Sequence, residues 1–430
     1  MTDIAKPFTS EKNQFIFCTF GFLWVSNIAP LLAGKTFFLR LLIYPLFILL
    51  IVLFARLLFC FRKNKSYISN TAYSILLCLA VLGCVCVVRG IPLHMDIDAI
   101  RIFLFNLAGA AIVWLMPLSI FFSIKGQFWM TWLPKLRPVV FFGGIYVFVL
   151  VLGGIRSEDL LELNFYNSTD LLFIAPFLAI WSRFKKDSVD LILGCLGTAV
   201  LVIWMFLMNE RFAIAYASLM WLFCLISLFF EKYSLNLKIN VLTLTLTVTI
   251  LFSVFFSQVP VFRSYIYKYI FQGDILENTR IRSRGGGSLV DAVTRDMSSF
   301  EKCFGKGLDG TYTWGNAGWP PQPYIRPDVE IGYMQLVLKG GYLMQMTFLA
   351  LSLYAVYLAM FRSNNRITRY LAYIIIVRLI IMTTAMIPRV GFEYFMYWLV
   401  VGGCLSSELR SFSDDEIAQN CVTKRIIIKW

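Results

Sequence analysis

Long apolar runs separated by short polar turns make up most of the chain. A helix needs about 20 apolar residues to cross a bilayer, and twelve runs of roughly that length stand at residues 14–33, 37–61, 70–89, 101–124, 138–155, 169–182, 188–208, 211–230, 239–258, 331–361, 367–387 and 391–408. This pattern predicts an all-α, polytopic integral membrane protein of about twelve transmembrane helices.

One long polar stretch interrupts this pattern. We therefore expect transmembrane helices 1–9 in residues 1–258, a long loop with short helices at 259–330, transmembrane helices 10–12 in 331–408, and a tail at 409–430. Short helices are expected around residues 288–303, whereas the Pro- and Gly-rich run WGNAGWPPQPYIRP predicts irregular backbone. We also expect Lys339, which precedes Gly340-Gly341, to mark a break in the tenth span.

Composition supports a membrane protein. Hydrophobic residues make up 59% of the chain and charged residues 15%, and the mean hydropathy is +0.73. The first dozen residues precede an apolar run without a small-residue cleavage site, so we expect the first span to be retained. Cys303 is the single cysteine of the long loop, which predicts no disulfide framework there.

The net charge of +14 is spread over short loops between apolar runs, which favours membrane topology over nucleic-acid binding. Lysine and arginine concentrate in alternate loops such as 62–65, 183–186 and 362–369, and they are sparser in the intervening ones. Basic residues resist translocation. We therefore expect both termini in the cytoplasm and the 259–330 loop on the outer side, in the periplasm of a Gram-negative cell.

The strongest candidate for anion binding is the cluster Arg280, Arg282 and Arg284, which precedes three glycines. Guanidinium groups bind phosphate bidentately, and glycine lets backbone N–H groups approach an oxyanion. These features favour a diphosphate-binding loop. The alternative is a set of arginines that contact lipid headgroups.

Two further candidates stand where spans begin. Arg211 follows Asn209-Glu210 in a tight outer turn and is expected near a lipid diphosphate, although pairing with Glu210 is an equal alternative. Glu330 precedes the tenth span, where a helix N-terminus and Arg326 keep a carboxylate ionised and available as a general base. The alternative for Glu330 is a helix-capping acid.

A buried charge is costly unless it is paired or faces water, so Arg378 within the eleventh span is a functional candidate. Arg389 and Glu393 in the last outer turn are its candidate partners or a second phosphate contact, and an ion pair between those two is the simpler interpretation. Trp314 and Trp319 in the long loop are placed either to stack on sugars or to cover a cavity.

Metal binding is poorly supported by the sequence. The single histidine, His94, stands near Asp96 and Asp98, and this spacing is weak evidence for a metal site. We expect no metal and no cofactor.

The layout of spans and long loop resembles the bacterial O-antigen polymerase (Wzy-type) and O-antigen ligase superfamily of inner-membrane glycosyltransferases. Its motifs are similar to Asn209-Glu210-Arg211, to the arginines at 280–284, to the run Glu330-Ile331-Gly332-Tyr333-Met334-Gln335 and to Gly340-Gly341. Ligases of this group carry a His-Asn pair where Glu330 and Ile331 stand here, which favours a polymerase.

The resemblance implies a GT-C-like architecture and a metal-independent, inverting glycosyl transfer at the periplasmic face. The expected substrate is an undecaprenyl-diphosphate-linked oligosaccharide, transferred to a hydroxyl of an incoming repeat unit, and the expected partners are membrane lipids, a chain-length regulator and a flippase, with no nucleic acid. Glu330 would then act on the acceptor with Tyr333 as a supporting contact, and the arginines would bind diphosphate. An O-antigen ligase and a lipid-linked oligosaccharide flippase or transporter are the alternatives.

Overall fold

The structure, a computed structural model, describes residues 66–91, 111–132, 289–317, 322–329, 331–383, 388–389 and 392–419, with a few single positions between 141 and 194. These residues are mostly helical. The helices are α1 (Asn70–Arg89), α2 (Ala111–Leu115), α3 (Ile120–Ser123), α4 (Gly126–Trp132), α5 (Leu289–Thr294), α6 (Ser299–Phe304), α7 (Gly332–Phe361), α8 (Arg366–Ile381), α9 (Phe392–Leu405) and α10 (Ser407–Ser411). A 3₁₀ turn, Met116–Ser119, joins α2 to α3.

Two described helices are long and apolar enough to cross a membrane, α1 with 20 residues and α7 with 30. They match the predicted spans 70–89 and 331–361. Helices α8 and α9 overlap the predicted spans 367–387 and 391–408 but are shorter, with 16 and 14 residues. The described residues are therefore compatible with a helical membrane protein and do not support a count of twelve spans.

Helix α7 is broken at Gly341, as predicted from Gly340-Gly341. Gly341 has φ 76° and ψ 177°, a combination that is accessible almost only to glycine. The carbonyl of Lys339 accepts a contact from the Cys86 thiol of α1, whereas the amide of Tyr333 donates to the carbonyl of Met382 at the end of α8. The first half of α7 therefore bridges α8 and α1, and the second half packs along α1.

Contacts between the helices define two opposite ends. At one end, Ser69 contacts Tyr354 at 3.2 Å and the Asn365 amide donates to the carbonyl of Leu409 at 2.6 Å. At the other end, Arg89 of α1 and Lys339 of α7 contact residues 304–310 of the long loop. We call this second end the loop end.

The core of the described helices lies between α7, α8 and α9 and is rich in aromatic residues. Phe348 of α7 stacks on Tyr397 of α9 with ring centroids 5.6 Å apart, and it meets Trp398 edge-on at 5.4 Å. The Tyr397 hydroxyl also contacts the Ser352 hydroxyl at 2.5 Å. These buried rings fix α9 against α7.

The long loop is more regular than the sequence predicts. Helices α5 and α6 confirm the short helices expected around 288–303, but the prediction of irregular backbone is wrong for residues 314–317 and 322–326 of the run WGNAGWPPQPYIRP. Strands β1 (Tyr312–Ala317) and β2 (Gln322–Arg326) form an antiparallel hairpin, in which Trp314 opposes Tyr324 and a bulge follows. Both strands are edges of a two-stranded sheet, where proline is tolerated. The described residues thus contain this hairpin and remain mostly helical, as the predicted all-α class requires.

In the part of the long loop that the structure describes, residues 289–317 and 322–329, buried apolar residues pack on α7. A small cluster joins loop residues to the first half of α7, and its buried members are Ala292, Val293, Met297, Tyr312, Val329, Met334, Val337 and Leu338. These loop residues therefore depend on α7 for their hydrophobic burial.

Candidate functional site

The long loop meets the break of α7 by close backbone contact. The amide of Lys306 donates to the carbonyl of Leu338 at 2.8 Å, and the amide of Gly307 donates to the carbonyl of Lys339 at 3.0 Å. A β-carbon at Gly341 would overlap the Cys303 carbonyl, and one at Gly305 would overlap the Lys339 carbonyl. The two glycines thus permit an approach that other residues would prevent.

Lys339 secures this contact from within α7. Its side chain is only 1% exposed, and its Nζ donates to the carbonyl of Leu308 at 2.6 Å and to that of Gly310 at 2.9 Å. A carboxylate oxygen of Asp328 lies 4.0 Å from Nζ. The ammonium therefore binds loop backbone and is compensated by a nearby acid, as a buried charge requires.

Polar contacts also fix the segment that enters α7. The Gln335 side chain donates to Asp328 at 2.9 Å and accepts from the amide of Val329 at 2.8 Å. The amide of Gln335 donates to the carbonyl of Ile331 at 3.0 Å. Gln335 and Lys339 stand four residues apart, so both reach the same side of α7.

Arg89 holds the loop from α1. Its guanidinium donates to the carbonyl of Gly305 and, at 3.4 Å, to that of Phe304. The same group lies over the Phe300 ring, 5.2 Å from its centroid. The sequence does not single out Arg89, because its partners lie more than 200 residues away along the chain.

Arg378 and Glu393 form a second charged feature, between α8 and α9. Their side chains are 0% and 2% exposed and make an ion pair. The Arg378 guanidinium also lies 5.8 Å from the ring centroids of both Tyr394 and Tyr397. The sequence offered Arg378 or Arg389 as the partner of Glu393, with Arg389 as the simpler choice. The structure pairs Glu393 with Arg378.

Tyr333, the second residue of α7, is also buried. Its hydroxyl donates to the carbonyl of Leu379 at 2.7 Å, and the residue is 6% exposed. Little of the side chain is therefore open to a sugar. Its position links the start of α7 to the last turn of α8.

The structure describes only two of the remaining predicted site residues. Arg389 is described and half-buried, and Trp314 belongs to β1. The other predicted site residues lie outside the described residues, namely Arg211, Arg280, Arg282, Arg284, Trp319 and Glu330. The structure therefore brings together Lys339, Arg89 and the loop backbone, which were not among the predicted catalytic groups.

Comparison with known proteins leaves the family open. No protein-family model, no curated protein and no solved structure matches the chain.

Proposed function

We propose that the chain is a surface-polysaccharide polymerase of the inner membrane. It would transfer a glycan from undecaprenyl diphosphate to a hydroxyl of an incoming lipid-linked repeat unit, on the periplasmic side. The proposal includes about twelve spans, cytoplasmic termini and a periplasmic 259–330 loop. It rests on the sequence pattern together with one structural observation. Lys339 of α7 and Arg89 of α1 both bind backbone carbonyls of loop residues 304–310, and we call this set of contacts the clamp.

The clamp supports the proposal because it fixes a polar loop on the ends of apolar helices. Lys339 and Arg89 together bind four carbonyls of residues 304–310. A reaction between two lipid-linked substrates needs its polar groups held at the bilayer surface, where diphosphate and sugar project from the membrane. Rigid placement of such groups contributes to catalysis through proximity and orientation.

Contacts on both sides of Glu330 favour it as the acceptor base. Val329 before it is fully buried and bonded to Gln335, and Ile331 after it accepts from the Gln335 amide. The backbone that flanks Glu330 is therefore tied to α7. We assign to its carboxylate the proton of the acceptor hydroxyl.

The proposed step is a single displacement. The acceptor oxygen forms a bond to the anomeric carbon while the bond from that carbon to the diphosphate oxygen breaks, and the diphosphate leaves with the electron pair. The hydroxyl proton passes to Glu330. Direct displacement inverts the anomeric configuration.

Arginines are proposed to neutralise the departing diphosphate, which carries the developing charge. We assign this role to Arg211 and to the cluster Arg280, Arg282 and Arg284, with Arg389 assisting. The ion pair with Glu393 favours a positioning role for Arg378, and the bonded hydroxyl favours the same for Tyr333. Trp314 and Trp319 are proposed glycan contacts.

The test is the surface-glycan gel profile of a deletion strain complemented with wild type, Arg211→Ala, Arg282→Ala or Glu330→Gln. Each variant is checked for its amount in the membrane, and Lys302→Ala, which changes an exposed cation of the same loop, is the matched control. A polymerase predicts that deletion leaves core with one repeat, that Lys302→Ala restores the ladder, and that the three site variants do not.

Three results would overturn parts of the proposal. Bare core without a single-repeat band in the deletion strain would favour a ligase or a flippase over a polymerase. A full ladder from Glu330→Gln would remove the proposed base. Product linkages that retain the anomeric configuration would exclude the direct displacement.

A further inference from the structure

One face of α1 is apolar and exposed from Leu77 to Val88. Its exposed residues recur at helical spacing i, i+4, i+7 and i+11, and they are Leu77, Val81, Cys84 and Val88. Ile91, just beyond the helix, continues the same face and is 42% exposed. An apolar stripe along a bilayer-length helix is the surface that lipid covers.

The loop end of α1 carries an exposed aromatic ring. Phe300 of α6 is 57% exposed, although one side of its ring is covered by the Arg89 guanidinium. Phe304 lies next to it, with ring centroids 4.9 Å apart. The carbonyls of Phe304 and Gly305 bind the same guanidinium. Phe300 is thus held firmly by its neighbours and still open to its surroundings.

The position of this ring along α1 fits the boundary of a bilayer. Helix α1 has 20 residues, which span about 30 Å, the thickness of the hydrocarbon core. Arg89 is its last residue, directly after the exposed Val88. Aromatic rings and snorkelling arginines concentrate at this level in membrane proteins, because one part of each group is apolar and another is polar.

We propose that Phe300 and Arg89 form an interfacial anchor that binds phospholipid and holds the long loop on the membrane surface. The Phe300 ring inserts among glycerol and upper acyl groups, and the Arg89 guanidinium faces the phosphates. The occupant is lipid and not a second protein, since the exposed ring lies against Arg89, the last residue of a helix that is as long and apolar as a membrane span. The anchor does not depend on the proposed polymerase activity.

Photo-crosslinking tests this anchor in the full chain. The photoreactive residue p-benzoylphenylalanine replaces Phe300 in one variant and the exposed Lys302, two residues further along the same short helix, in a matched control. Membranes are irradiated, the protein is purified, and peptides carrying residue 300 or 302 are analysed by mass spectrometry. We expect phospholipid adducts at position 300, several-fold more than at position 302.

A second measurement keeps the test independent of the probe. Phe300→Ser removes the ring without opening the core, because the side chain is more than half exposed, and Phe300→Trp preserves an interfacial ring. We expect faster protease cleavage of the loop in vesicles for the serine variant and wild-type cleavage for the tryptophan variant. Adducts only to protein, no lipid adduct, or equal adducts at both positions would overturn the anchor, as would unchanged cleavage of the serine variant.

Discussion

Arg378 of α8 and Glu393 of α9 form a fully buried ion pair between two neighbouring helices. Two tyrosine rings of α9 flank the guanidinium, each 5.8 Å from it. Taking both charges out of water is expensive, so neither side chain is tolerated there without the other. The pair therefore fixes the end of α8 against the start of α9.

The first prediction concerns this pair. Glu393→Gln and Arg378→Met should each lower the free energy of unfolding by about 3–5 kcal/mol, because each leaves one buried charge uncompensated. The double replacement should cost less than the two single losses together. Thermal inactivation in detergent, followed as the monodisperse fraction after heating, measures the four members of this cycle. Strictly additive losses would show that the two side chains do not interact.

The second prediction concerns Lys339. Lys339→Met leaves the carbonyls of Leu308 and Gly310 without this donor, and each buried unsatisfied group costs about 1–3 kcal/mol. We expect faster hydrogen exchange at the amides of Lys306 and Gly307, which bond to α7 beside the clamp. Lys302→Met, which removes an exposed ammonium of the same loop, is the control and should leave exchange unchanged. Equal exchange in the two variants would contradict the clamp.

Some of the fold could be predicted because its causes are local. Apolar runs place α1 and α7, Gly340-Gly341 places the break, and the depth of Arg378 in a span requires a partner. These inferences need only neighbouring residues and the thickness of a bilayer.

The remainder depends on contacts between distant parts of the chain. Arg89 and Lys339 bind backbone carbonyls, and any residue type supplies a carbonyl, so no sequence motif marks the partners. The β1–β2 hairpin was missed because the four prolines of WGNAGWPPQPYIRP indicated irregular backbone, although edge strands tolerate proline. The predicted arginine cluster at 280–284 and Glu330 lie outside the described residues, so their roles stay predictions.

The third prediction concerns Gly341. Its backbone conformation costs other residues about 1–3 kcal/mol, and a β-carbon would also overlap the Cys303 carbonyl. Gly341→Ala should therefore destabilise the protein and release the loop, seen as faster exchange at Lys306 and Gly307. Leu343→Ala, two residues further at an exposed position, is the control. A Gly341→Ala protein with unchanged exchange and thermal stability would exclude the close crossing.

The fourth prediction concerns pH and α6. Ser298 and Glu301 form a capping box, in which the backbone amide and hydroxyl of Ser298 donate to the Glu301 carboxylate at 2.8 and 2.9 Å. These hydrogen bonds lower the pKa of Glu301 below its ordinary value of 4.5. A lowered pKa in the folded state means that the stabilisation is complete above pH 4.5 and is lost as the pH falls through the lower folded value.

Hydrogen exchange of α6, corrected for its intrinsic pH dependence, should therefore be constant near neutrality and accelerate in acid. Glu301→Gln should weaken the dependence on acid, and Ser298→Ala should cost about 1 kcal/mol of local stability at neutral pH. The contrary result is an acid dependence in Glu301→Gln as strong as in the wild type, which would assign the acid sensitivity to another carboxylate.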